Sequence, residues 1–139
     1  MRFQVNTQGH EDSIDITDQV AEAIKQLGLI DGIAVVFGLH STIGITTLEY
    51  EKGVLQDVHD VFERLIPENA EYKHNLRGID HNGAAHIKSA MVGTHLPVPV
   101  EEGQLVLGQW QRIVLIDFDE RARTRDILVK ALTSATTKP

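Results

Sequence analysis

The stretch "IAVVFGLHSTIGITTLEYE", residues 33–51, decides how the chain is built. Its first half is a run of β-branched and aromatic residues, which predicts a buried strand ending at His40. Its second half alternates Ile43, Ile45, Thr47 and Glu49 against Gly44, Thr46, Leu48 and Tyr50. That period of two predicts a second strand, paired with the first. His40 then ends a rigid element and is followed by the hydroxyls of Ser41, Thr42, Thr46 and Thr47. An imidazole among small hydroxyls suits binding or proton transfer. Glu49 and Glu51 share a face at this spacing, so a carboxylate and His40 could share a divalent cation if that face turns toward the imidazole.

Outward from this segment, Phe3 to Asn6 reads as a short strand. In "ITDQVAEAIKQLGL", Thr17 stands as a cap before Val20, Ala23, Ile24 and Leu27, and Gly28 ends the helix. "VLQDVHDVFERLI" places Val54, Val58, Val61, Phe62 and Leu65 on one helical face, with Pro67 beyond its end. Residues 68–82 are polar and irregular. "AAHIKSAMV" predicts a short helix closed by Gly93, and "LPVPVEEGQLVLG" a hairpin around Glu102-Gly103. "RIVLIDFDE" is a strand that starts buried and ends acidic, and "TRDILVKALTS" alternates as a strand. About seven strands with about three helices and hairpin-like connections point to α+β, one domain over residues 1–139 with no linker.

The chain has no cysteine, which excludes disulfides, thiolate metal sites and a cysteine nucleophile. A formal net charge of −7 disfavours broad binding of nucleic acid or anionic lipid. No apolar run has the length of a membrane span, and the polar, alternating N-terminus does not read as a signal peptide. A cytoplasmic location with no membrane and no nucleic-acid partner is the expectation.

Six of the seven histidines fall between positions 40 and 95. "GIDHNGAAHIKSAMVG", residues 78–93, puts Asp80 and Asn82 at the mouth of a helix and His86 one turn in. Asp80 or Asn82 can cap free N–H groups there, and the same helix end can hold a phosphate. The plainer reading is a capped helix with a structural histidine. His10, His59 and His95 read as solvated, and so does the basic turn "RARTR", residues 121–125. In "GQWQRI", residues 108–113, Trp110 can stack on a planar heterocycle or simply join the core. Arg112, Arg77 and Lys88 are the candidates for meeting a phosphate. No GxSxG elbow accompanies Ser41 or Ser89, which disfavours serine hydrolysis.

The strand-end "HST" at 40–42, "GITTLEYEKG" at 44–53, "YKHN" at 72–75, "DHNGAAHIKSAMVG" at 80–93 and "LVLGQWQRIVLIDFD" at 105–119 together resemble the YjbQ-like family. Members of that family are linked to a secondary thiamine-phosphate synthase activity. The resemblance implies an α+β sandwich that assembles as a homotrimer, with sites near subunit contacts. It implies that His40, His74 and His86 gather in one pocket able to hold a divalent metal, Mg or Zn. It implies a reaction joining a pyrimidine diphosphate to a thiazole phosphate with release of pyrophosphate. On that reading His40, His86 and Glu49 carry the chemistry, and Thr42, Asn75, Asn82, Lys88, Trp110 and Arg112 bind a small phosphorylated heterocycle. A metal-dependent hydrolase and a non-catalytic binder of a phosphorylated ligand or metal are the alternatives.

Overall fold

The computed structural model describes residues 1–134; residues 135–139 of the expected single domain lie outside the described residues. In chain order the elements are β1 (Arg2–Thr7), β2 (Asp12–Asp15), α1 (Thr17–Leu27), β3 (Gly32–Gly38), β4 (Ile43–Leu48), α2 (Lys52–Leu65), a 3-10 helix (Lys73–Arg77), α3 (Gly83–Val92), β5 (His95–Glu101), β6 (Gln104–Leu105), β7 (Arg112–Asp117) and β8 (Arg123–Thr133). The chain is α+β, as its patterning predicts. The strand that patterning misses is β2, whose four residues are all half-buried and show no alternation.

Two antiparallel sheets face each other. One has the order β1-β8-β3-β5-β6 and the other β2-β7-β4. The predicted pairing of β3 with β4 does not form. β3 pairs with β5 and β8, while β4 pairs with β7. The reason lies in Leu39 to Thr42, which carry the chain from one sheet to the other. β3 and β4 therefore meet face to face rather than edge to edge. Ala34, Val36, Val98, Ile127 and Val129 of the larger sheet pack on Ile43, Ile45, Ile113 and Leu115 of the smaller one. α1 closes this core with Val20, Ala23 and Ile24.

The outer face of the smaller sheet carries a second cluster, Val114, Ile116 and Phe118, covered by Ala85 of α3 and by Val58 and Phe62 of α2. α3 lies close because Gly44 offers no side chain; a Cβ there would come within 2.6 Å of Val92. The apolar stripe predicted for α2 is buried only in part: Val58 and Phe62 pack, while Val61 and Leu65 are exposed. No helix among the described residues is long and apolar enough to cross a membrane.

Two capping expectations are corrected. Thr17 is the first residue of α1, not its cap; Asp15 Oδ1 accepts from its N–H at 3.0 Å. Thr17 Oγ1 instead accepts the N–H of Ile113 at 2.8 Å. Glu51 does not continue a strand face with Glu49, because β4 ends at Leu48. Its carboxylate caps α2, accepting from the N–H groups of Gly53 and Val54 at 2.8 and 2.9 Å.

The basic turn is corrected as well. Arg125 is buried, and its guanidinium grips Asp117 in a two-point pair: Nε donates to Oδ2 and Nη2 to Oδ1, both at 2.7 Å. Asp117 ends β7 in the smaller sheet and Arg125 is the third residue of β8 in the larger one, so the pair ties the sheets together. Removing one partner of such a pair leaves an uncompensated buried charge. Arg125→Met should therefore lower stability by about 3–5 kcal/mol. Urea denaturation checks this, and an unchanged midpoint would show that the pair does not hold the sandwich shut.

Candidate functional site

At the β7–β8 end of the sandwich a wide, open cavity of about 810 Å³ is lined by polar groups from three directions. The segment after β3 contributes His40, Ser41 and Thr42. The 3-10 helix and α3 contribute His74, Arg77, Asp80, Asn82 and His86. The β7–β8 connection and the start of β8 contribute Asp119, Arg123 and Arg125.

The floor is a buried carboxylate. Asp119, 1% exposed, accepts from Thr42 Oγ1 at 2.9 Å, from Asn82 Nδ2 at 3.2 Å and from Arg125 Nη2 at 3.4 Å. Arg123 Nη2 lies 3.1 Å from the same carboxylate. Burial opposes its ionisation. Hydrogen bonds from the Glu120 N–H, Thr42 and Asn82, with the Arg123 charge, outweigh that and hold its carboxyl below the usual carboxylate range.

The wall is built from the 3-10 helix and α3. The expected cap of α3, Asp80 or Asn82, does not form. Asn75 Oδ1 accepts the Gly83 N–H at 2.9 Å instead, and the Asn82 side chain turns inward. The fit is close: a Cβ on Gly83 would stand 2.5 Å from Tyr72 Cβ. This packing brings His74 and His86 together, with ring centroids 4.5 Å apart. Burial, then the neighbouring His74, pushes the His86 pKa below the ordinary histidine range. Burial and the Arg125 guanidinium do the same to His40. Both rings are therefore neutral at pH 7.

His40 Nε2 accepts the backbone N–H of Asp126 at 2.8 Å. A neutral ring in that position carries its proton on Nδ1, so neither nitrogen has a lone pair left for a metal. Among the described residues no group of three or more His, Cys, Asp or Glu side chains is placed to hold a metal ion. The three-imidazole ligand set of His40, His74 and His86 thus does not fit this arrangement, although all three rings line one cavity.

The other expected residues divide clearly. Thr42, Asn82, His40, His74 and His86 line the cavity, and Asn75 supports it by capping α3. Glu49 is exposed beyond the end of β4 and is not among the cavity's residues. Lys88 is buried against Glu11, Nζ to Oε1 2.6 Å. Arg112 pairs with Asp15 and Asp18, and Trp110 is 66% exposed in the turn before β7. Asp119, Arg123 and Arg125 are the cavity residues that motif reading passed over.

The architecture has close counterparts in known proteins. The family model described as "UPF0047 protein YjbQ-like" matches residues 1–134. A UPF0047 protein of Archaeoglobus fulgidus is 39% identical over 132 residues, covering 95% of this chain and all of that one. The UPF0047 protein YugU of Bacillus subtilis is 35% identical, covering 94% of this chain and 96% of its own length. A YbjQ-like protein of unknown function from Sulfolobus solfataricus superposes with a TM-score of 0.87 at 32% identity, over 96% of this chain and 97% of that one. A yjbq/upf0047 family protein from Clostridium acetobutylicum does so with a TM-score of 0.86 at 34% identity, over 95% and 99%. Matched end to end in sequence and in fold, the chain belongs to the YjbQ-like UPF0047 family.

Proposed function

We propose that the cavity is an enzyme site for a small phosphorylated heterocycle, and that its reaction joins a pyrimidine diphosphate to a thiazole phosphate. The observation that carries this reading is the meeting, in one open cavity, of neutral imidazoles with anion-binding donors. The thiazole nitrogen forms the new C–N bond as the bond from carbon to the diphosphate oxygen breaks. The electron pair leaves with pyrophosphate, so negative charge grows on the leaving group. Arg123 and Arg125 already face carboxylates, whereas Arg77 at the rim makes no ion pair among the described residues. Arg77, the Ser41 hydroxyl and the His40 Nδ1–H are the donors left to meet that charge. His86, protonated as the anion binds, supplies a proton to the departing diphosphate.

Pyrophosphate release from the two heterocyclic phosphates tests the reading. His86→Ala should cost on the order of 100-fold or more in turnover while the fold persists. Absence of release by the wild type would overturn the synthase reading, and unchanged turnover in the variant would remove His86 from it.

Anion binding is testable without turnover. Sulfate does not titrate near neutrality, so any pH dependence of its binding belongs to the protein. His86 is held neutral in the free protein, and a bound dianion favours its protonated form. Binding then takes up protons, and affinity should rise as pH falls from 8 through about 6.5 and below. Calorimetry in two buffers of different ionisation enthalpy checks the uptake. His86→Gln should flatten the profile; a flat wild-type profile would place the anion away from the imidazoles.

The same reading places the cavity near a contact between copies of a trimer. Leu76 and Ile79, 84% and 73% exposed, flank the rim residues Arg77 and Asp80. Large apolar side chains beside a polar site favour burial by a neighbour. Sedimentation should give a trimer for the wild type and a smaller species for Leu76→Glu with Ile79→Glu. A monomeric wild type would refute the assembly.

A further inference from the structure

Neither the family resemblance nor the anion-binding reading gives Asn82 more than a place in the binding wall or at the start of α3. Its hydrogen bonds assign it another task. Nδ2 donates to Asp119 Oδ1 at 3.2 Å. An amide nitrogen is a donor only and Asp119 is an ionised acceptor, so the orientation of the Asn82 amide is fixed. Its other end, Oδ1, lies 3.0 Å from His74 Nε2. An amide oxygen only accepts, so Nε2 of His74 must carry the proton. A neutral imidazole has one N–H, which leaves Nδ1 as the ring's sole acceptor.

We infer that Asn82 is a positioning residue: oriented by the buried carboxylate of Asp119, it locks His74 as the Nε2–H tautomer and makes Nδ1 the proton acceptor of a ring that lines the cavity. The inference rests on reading this cavity as the site, but not on which anion or heterocycle enters it.

The geometry suits that task. Asn82 is 6% exposed and Asp119 1%, so the bond between them is shielded from water, while the His74 end is half-buried. Asp119 is itself pinned by Thr42, in the connection between the sheets, and by Arg125 of β8. When Nδ1 takes up a proton, the ring becomes an imidazolium whose Nε2–H still donates to Oδ1. The amide dipole points its negative end at the new charge, with a carboxylate behind it. The neutral amide thus serves as a spacer: it sets the tautomer without placing a formal negative charge against the ring. His86, in ring contact with His74, is the neighbour whose proton traffic that acceptor would govern.

Long-range proton–nitrogen correlation spectra of the uniformly labelled full chain, without ligand and above the pH at which the ring protonates, read the tautomer of each histidine directly. The wild type should show His74 with a protonated Nε2 and a bare Nδ1. Asn82→Ala should release the ring to a mixture of tautomers. An Nδ1–H form in the wild type would overturn the assignment, as would an unchanged His74 in Asn82→Ala. The wild-type spectrum decides even if a variant fails to fold. Because no ligand is present, the outcome is independent of whether sulfate binds or pyrophosphate is released.

Discussion

The buried pairing of Arg125 with Asp117 is the constraint on which the rest of the molecule hangs. A carboxylate that is fully buried and a guanidinium nearly so sit where two apolar sheet faces close on each other. Neither tolerates that position alone, since an unpaired charge there would cost several kcal/mol. Together they demand one relative placement of β7 and β8, because a two-point guanidinium–carboxylate bond is directional. Thr7 donates to Asp117 as well, drawing β1 into the same arrangement. The apolar core supplies most of the favourable burial; this pair specifies how the sheets are aligned at one end.

The site inherits its order from that pair. Arg125 Nη2 also reaches Thr42 Oγ1 at 2.8 Å and Asp119 at 3.4 Å. The Thr42 hydroxyl donates a hydrogen bond to Asp119, and Asp119 also accepts from Asn82. Asn82 stands beside His74, and His74 against His86. A line of directional bonds therefore runs from the sheet junction to the imidazoles on the cavity wall. The histidines lie on a 3-10 helix and on the first turn of α3, elements that bury little apolar surface of their own near the rim. Their precision comes from the polar floor beneath them, not from the core.

Much of the fold was legible as periodicity. Alternation marked β4 and β8, the apolar run marked β3, and Gly28 and Gly93 marked helix ends. What alternation does not carry is partner choice. Nothing in residues 39–42 states that the chain leaves one sheet for the other, so adjacency in sequence was mistaken for adjacency in a sheet. The polar floor was legible in a way that went unread. Ile113 and Leu115 point inward, and a period of two carries Asp117 and Asp119 onto the same face. Ile127 and Val129 point inward, and the same step back along β8 reaches Arg125. Opposite charges ending two inward stripes signal a buried ion pair. Reading "RARTR" as one solvated run hid it, because a charge run and an alternating strand can overlap. Lys88 and Arg112 show the converse error: free cations in a linear reading, they are spoken for by Glu11 and Asp15 through contacts between residues 77 and 97 positions apart.

The charge count around the cavity decides what kind of ligand it can hold. The chain is acidic overall, at −7, so an anion approaching at random is repelled. Inside the cavity Arg125 is balanced by Asp117 and Arg123 by Asp119. Arg77 and Asp80 remain, one of each sign. Fixed charges thus leave little net attraction for a phosphate. The imidazoles change the sum only by taking up protons; His40 Nε2 is occupied by the Asp126 N–H, so that part falls to His86, which burial and His74 hold neutral. Such a cavity is indifferent to small anions at alkaline pH and becomes receptive as protons accompany the ligand. It would bind a phosphoryl group and gain acid capacity in the same event, which is what departure of a diphosphate from carbon requires. A pocket lined by unpaired arginines would bind the anion more tightly and hold the pyrophosphate product just as tightly. Neutral imidazoles can return the proton and release it.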